Sequence, residues 1–261
     1  MNPIDIRVSA DPVAVATAVS RQFVTTVADL QRTGDTVTDD GVVRVVLTGG
    51  TVGIETLRQL LILDHAAKST AEDFPMQSVD WSRVAVFFGD ERFLPVGDPE
   101  RNDTQAFKAL LNHVDIPKSN IFSIAAPDEG EATDGEQLDS AALSYARVIA
   151  REAPDGFDLH LMGMGPEGHV NSLFPDTVEL TAPQADVQPV RGCPKPPSER
   201  VTLTLNAVNS SRRVWLVVAG AEKKQAAEYA AARDLSGQWP AGMVHGTQET
   251  VLWVDEAAKP S

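Results

Sequence analysis

Short, continuously apolar runs separated by helical patterns dominate this chain, and few architectures accept that arrangement. Runs at 42–47, 83–88, 121–124, 157–162, 201–205, 214–218 and 251–254 read as strands. A strand with one face in water alternates apolar and polar residues, whereas a strand covered on both faces does not need to. Helical patterns fall near 53–67, 102–113, 136–152 and 222–233. An opening helix over 11–33 spaces Val15, Val19, Phe23, Val27 and Leu30 three or four apart, with Asp11 and Pro12 as start signals and Gly34 as a stop. The pattern predicts an α/β fold: a three-layer, Rossmann-like, parallel-rich sheet flanked by helices.

The chain has 261 residues, 43% of them hydrophobic, enough for a substantial core. The expectation is a single domain over 1–261, with any small lobe built from connecting segments. Two such segments stand out: the acidic, glycine-containing 129–139 and the proline-rich 183–197. No run approaches the roughly 20 apolar residues of a membrane span, and the first residues lack a basic region followed by an apolar one, so a cytoplasmic protein is expected. Cys193 is the only cysteine, which rules out an intrachain disulfide; it reads as an incidental loop thiol. The formal charge of −15 repels polyanions, so nucleic acid is not an expected partner, and any anionic ligand must be held by local groups.

In open α/β sheets ligands bind beyond the carboxyl ends of the strands, and four loops there carry chemistry. The first, Thr48-Gly49-Gly50-Thr51-Val52-Gly53, leads from a strand into a helix. Its glycines let backbone N–H groups approach an anion, the helix N-terminus adds a favourable dipole, and Thr48 or Thr51 offers a hydroxyl. A tight turn used only for packing is the competing reading. The second, Gly89-Asp90-Glu91-Arg92, sets two acids and a guanidinium after an apolar run. It is either a solvated turn or a place where the Arg fork meets phosphate or carboxylate.

The third loop runs Gly163-Met164-Gly165-Pro166-Glu167-Gly168-His169. A histidine ending a glycine-rich loop at a strand's carboxyl end is placed to meet ligand and to titrate near neutral pH, as general base catalysis prefers. His65, His113, His160 and His245 have no such context; His160 lies within a strand and reads as structural. The fourth loop, Ala219-Gly220-Ala221-Glu222-Lys223-Lys224, sets lysines in the first turn of a helix, where they oppose the dipole unless an anion binds beside them.

Taken together, LTGGT, FFGDERFLP, GMGPEGHVNSLFP, PKPPSERVTLT and VAGAEKK resemble the successive motifs of the 6-phosphogluconolactonase family, from the first helix to the last strand. That family shares its fold with glucosamine-6-phosphate deaminases. After the His those enzymes continue in an Ala-Phe-Asn-Glu-Pro type sequence, where this chain has Asn171-Ser172-Leu173-Phe174-Pro175, and they have a Tyr where Arg92 stands. Both loops side with the lactonases. The chain departs from the pattern at Val52-Gly53, where Pro often follows the Ser or Thr, and at Glu167, where Asp is usual.

The resemblance implies hydrolysis of 6-phospho-D-glucono-1,5-lactone to 6-phosphogluconate, without cofactor or metal, in the oxidative pentose phosphate pathway. It implies His169 as general base, with Asp90 and Glu167 orienting the imidazole or binding sugar hydroxyls. Gly49, Gly50 and Thr51 would receive the phosphate, with Arg92, Arg200 and Lys223 supplying charge. Backbone donors of 163–168, or Arg92, would meet the oxyanion. The expected partner is the small phosphosugar lactone, and the expected assembly a monomer or weak homo-oligomer. The rival readings are a deaminase or isomerase on the same fold, and a non-catalytic phosphosugar sensor.

Overall fold

The computed structural model describes residues 3–70, 76–128, 135–181 and 185–261. Its main sheet has six strands: β1 (Asp5–Ser9), β2 (Val43–Leu47), β3 (Val84–Phe88), β5 (Leu159–Met162), β8 (Arg213–Val218) and β9 (Glu249–Asp255). They lie in the order β1-β9-β8-β5-β2-β3, and every pairing is parallel. Strands β2, β3 and β5 are buried along their length, which is why their sequences are largely apolar without alternation. The pleat sends successive residues to opposite faces. Trp215 and Val217 of β8, with Val251 and Trp253 of β9, join one core cluster. Val214, Leu216 and Val218, with Leu252 and Val254, join a second.

The larger cluster receives α1 (Pro12–Thr33) through Val15, Val19, Phe23, Val27 and Leu30. Asp11 caps this helix by accepting from the Ala14 amide at 2.8 Å, Pro12 opens it, and Gly34 closes it at φ 74°, as the sequence signals predict. The same cluster holds residues of α2 (Thr51–Thr70) and α4 (Gly135–Glu152). The second cluster takes Ala226, Ala227 and Ala230 from α7 (Lys224–Ala232) and Ala241 from α8 (Pro240–Met243). Among the described residues no helix is long and apolar enough to cross a membrane.

The remaining elements depart from the sequence expectation. Strand β7 (Arg200–Leu203) is not part of the parallel sheet; it runs antiparallel between β4 (Asp90–Arg92) and β6 (Val187–Val190) in a separate three-stranded sheet. The supposed surface connection 183–197 therefore contributes a strand. Residues 121–124 are not a strand: only Ile121 bridges, to Val86. The acidic connection 129–139 is helical from Gly135 onward, and 129–134 fall outside the described residues. The helix expected at 102–113 is α3 (Asn102–Ala106) continued by a wider π turn at Phe107–Leu111. Two short helices, α5 (Val178–Thr181) and α6 (Leu205–Asn209), complete the chain.

Candidate active site

The loops after β2, β5 and β8 meet the small sheet around one cleft. The sheet's carboxyl ends supply Thr48, Gly49, Gly50, His169 and Lys223, while β4 and β7 supply Asp90, Arg92 and Arg200. Thr48 Oγ1 accepts the Gly163 amide at 3.0 Å, which ties the first loop to the third. Gly49 must lack a side chain, because a Cβ would stand 2.0 Å from Asn102 Oδ1.

His169 is folded into this wall by its own loop. The Gly165 amide donates to the His169 carbonyl at 3.0 Å, and the Gly168 amide donates to the Gly165 carbonyl at 3.0 Å. A Cβ on Gly165 would lie 1.9 Å from His169 Nδ1, so only glycine leaves room for the ring. The imidazole stacks on Phe174, centroids 4.3 Å apart and planes at 16°. Its Nδ1 is 3.2 Å from Glu167 Oε1, at ion-pair distance but outside hydrogen-bond geometry. Burial, and then the charge of Lys195, push the His169 pKa down to about 4 against the opposing pull of Glu167 and Asp90. At neutral pH the ring is therefore uncharged and able to accept a proton.

Strand β4 explains the clustered charges after β3. Its alternation turns Asp90 and Arg92 to the cleft and Glu91 to the far side. There Glu91 accepts from the amides of Asn102 (2.7 Å) and Asp103 (2.8 Å), capping α3, while burial raises its pKa to about 7. Asp90 accepts from Ser172 Oγ at 2.6 Å and from Asn102 Nδ2 at 3.1 Å. Arg92 donates to the Glu100 carbonyl. Arg200 lies 3.9 Å from Asp90 Oδ2, and it donates to the carbonyls of Lys195, Pro196 and Pro197, fixing the backbone of that segment.

Lys223 donates to the Met164 carbonyl at 2.5 Å, and burial lowers its pKa. Gly49, Gly50, Asp90, Arg92, His169, Arg200 and Lys223 thus share one cleft. Thr51 does not line it; it opens α2 and borders an adjoining hollow that shares Gly49, Gly50 and Lys223. Glu167 does not line it either, and instead lies beside the imidazole. Sequence reasoning missed Lys195, Asn102 and Asn171, which also face the cleft. Lys195 stood within the quoted PKPPSER motif, and its neighbouring prolines hid its proximity to Glu167. Cys193, expected to be an incidental loop thiol, is buried with Phe174 and Val190 beneath this wall. His160 is packed as expected, fully buried with neither ring nitrogen hydrogen-bonded.

The chain matches the family described as glucosamine-6-phosphate isomerases/6-phosphogluconolactonase over residues 10–253. It belongs to that family. A 6-phosphogluconolactonase of Mycobacterium leprae is 46% identical over 219 residues, covering 82% of this chain and 83% of that protein. One of Streptomyces coelicolor is 37% identical over 96% of this chain and 92% of its own length. The crystal structure of the Thermotoga maritima 6-phosphogluconolactonase superposes with a TM-score of 0.76 at 27% identity, covering 97% of this chain and 100% of that one.

Proposed function

We propose that this member of the family hydrolyses 6-phospho-D-glucono-1,5-lactone to 6-phospho-D-gluconate, with His169 as general base. The observation that carries the reading is a neutral, partly desolvated imidazole in a cleft bordered by Arg92, Lys195, Arg200 and Lys223, within a chain of net charge −15. Local cations in an acidic protein fit a phosphorylated ligand. The relatives' shared name fits the same chemistry.

The substrate phosphate sits against the glycine turn and the first turn of α2, where Gly49, Gly50 and Thr51 offer amides and a hydroxyl and Lys223 offers charge. Arg92 and Arg200 extend that field. His169 takes a proton from water as the water oxygen bonds to C1. The tetrahedral oxyanion then expels the ring oxygen, which receives the proton from the imidazolium. Glu167 and Asp90 favour the charged imidazolium that forms between these steps. The amides of Gly163, Gly165 and Gly168 already donate within the protein, so the developing oxyanion falls to the remaining amides of the 163–168 loop, Met164 first because it lines the cleft.

The deaminase reading lacks support at the site: Asn171 is the residue after the His that lines the cleft, and no carboxylate of 170–175 does. The test is a rapid assay on freshly generated lactone, which also opens unaided, comparing wild type, His169→Ala and no enzyme. Ammonia release from glucosamine 6-phosphate, or binding of 6-phosphogluconate without turnover, would overturn the assignment.

A further inference from the structure

The Glu167 carboxylate stands between two nitrogen groups and is bonded to one of them. Lys195 Nζ lies 2.8 Å from Oε1 and 3.0 Å from Oε2. His169 Nδ1 lies 3.2 Å from Oε1, buried and without a hydrogen-bond partner. A buried polar atom left unpaired beside an acceptor is costly, and a small rotation of the carboxylate would pair it. In the present orientation the ammonium contacts both carboxylate oxygens.

Lys195 has a fixed root and a free tip. Arg200 pins the backbone of 195–197, whereas the Lys195 side chain is 41% exposed and lines the cleft. Its ammonium stands 5.9 Å from the centre of the Phe174 ring on which His169 stacks. The charged groups facing the imidazole are Glu167 from its own loop, Lys195 from the proline-rich segment and Asp90 from β4. Arg92, Arg200 and Lys223 border the same cleft. An anion arriving there competes with Glu167 for Lys195.

We propose that Lys195 is a positioning residue for the base: at rest its ammonium holds Glu167 out of hydrogen-bonding angle, and an anionic ligand that draws it into the cleft frees Glu167 to accept from His169 Nδ1–H. One ion pair is exchanged for another and no covalent bond changes. The new bond fixes the tautomer with the proton on Nδ1, leaving Nε2 with its lone pair for water. The base is thus strengthened only when the cleft is filled. The inference rests on His169 acting as base, but its test needs no turnover.

The measurement is imidazole nitrogen NMR on the full chain, with the His169 signals assigned through His169→Asn. In the free wild type we expect no predominance of the Nδ1–H form; inorganic phosphate or 6-phosphogluconate should shift the ring toward it. Lys195→Met should show that form without ligand and raise the imidazole pKa by about one unit, tenfold in proton affinity. Lys195→Arg should restore the resting behaviour, and Glu167→Ala, which removes the acceptor, should abolish the ligand response. A free Lys195→Met protein with the wild-type tautomer and pKa, or a ligand response that survives Glu167→Ala, would overturn the proposal. The wild-type and Glu167→Ala titrations decide the matter even if Lys195→Met fails to fold. Intact NMR behaviour with no lactone turnover would leave the latch standing and remove the lactonase reading, and normal turnover with unresponsive tautomers would do the reverse.

Discussion

Ser172 Oγ donates to Asp90 Oδ2 across 2.6 Å, joining the His loop to the small sheet through two residues that are both buried. Asp90 has no mobile counter-ion at this distance; the nearest guanidinium nitrogen, from Arg200, is 3.9 Å away. The hydroxyl thus carries much of the stabilisation of a buried carboxylate. Ser172→Ala should destabilise the protein by about 1–3 kcal/mol, the cost of leaving a buried charged acceptor short of one partner. Denaturant unfolding of the variant against wild type measures it, and an unchanged midpoint would contradict the role given to this bond.

Removing the imidazole tests the chemistry directly. His169→Ala should keep the fold and lower lactone hydrolysis by at least ~10²-fold, the usual contribution of a general base. In the wild type, kcat/KM should stay level through pH 6.5 and fall only as the pH approaches 4, because the free base holds its lone pair down to that point. An acid limb centred on the ordinary histidine range would contradict this environment.

Space around the base should matter as much as its identity. Gly165→Ala sets a methyl where Nδ1 now lies, so the ring must move. Misplacement of about 1 Å can cost 10²-fold, and a comparable loss of kcat in a folded variant is expected. Circular dichroism and turnover on the same preparation separate this from unfolding.

Phosphate contacts far from C1 act equally in ground and transition states. Lys223→Ala and Arg92→Ala should therefore raise KM more than they lower kcat. Steady-state kinetics on fresh lactone check this, and unchanged KM in both variants would remove the phosphate from this end of the cleft.

His160 sets part of the pH dependence of stability. Its folded pKa is depressed to about 3 by burial, so between that value and 6.5 the unfolded chain binds a proton that the native protein does not. This contribution raises stability with pH across that window and is lost on acidification. His169 acts in the same direction above about 4, while Glu91, raised to about 7, acts oppositely between its ordinary range and 7. His160→Leu should reduce the loss of stability between pH 7 and pH 5, measured by chemical denaturation at both values. An equal loss in variant and wild type would contradict it.

The sequence revealed the elements that water cannot reach. The runs at 42–47 and 214–218 declare themselves because both faces are covered, and α1 because its stripe and caps agree. Strand β1 gave no signal, being an edge strand with several exposed residues. Strand β4 is three charged residues, and β6 contains Pro189; neither has a period long enough to read. The His loop and glycine turn were legible because loops at strand ends have a known address in this class of fold. Lys195 and Asn102 were not, because their places depend on contacts between segments far apart in the chain.

The alternation of β4 makes the site more sensitive to spacing than to composition. Asp90 and Arg92 look into the cleft while Glu91, between them, holds the start of α3. Inserting one residue between Gly89 and Asp90 would leave the acids and the guanidinium all present, yet deliver the helix-capping carboxylate to the ligand and the ligand's aspartate to the helix. In this three-residue strand, counting errors are the mutations that the chemistry is least able to absorb.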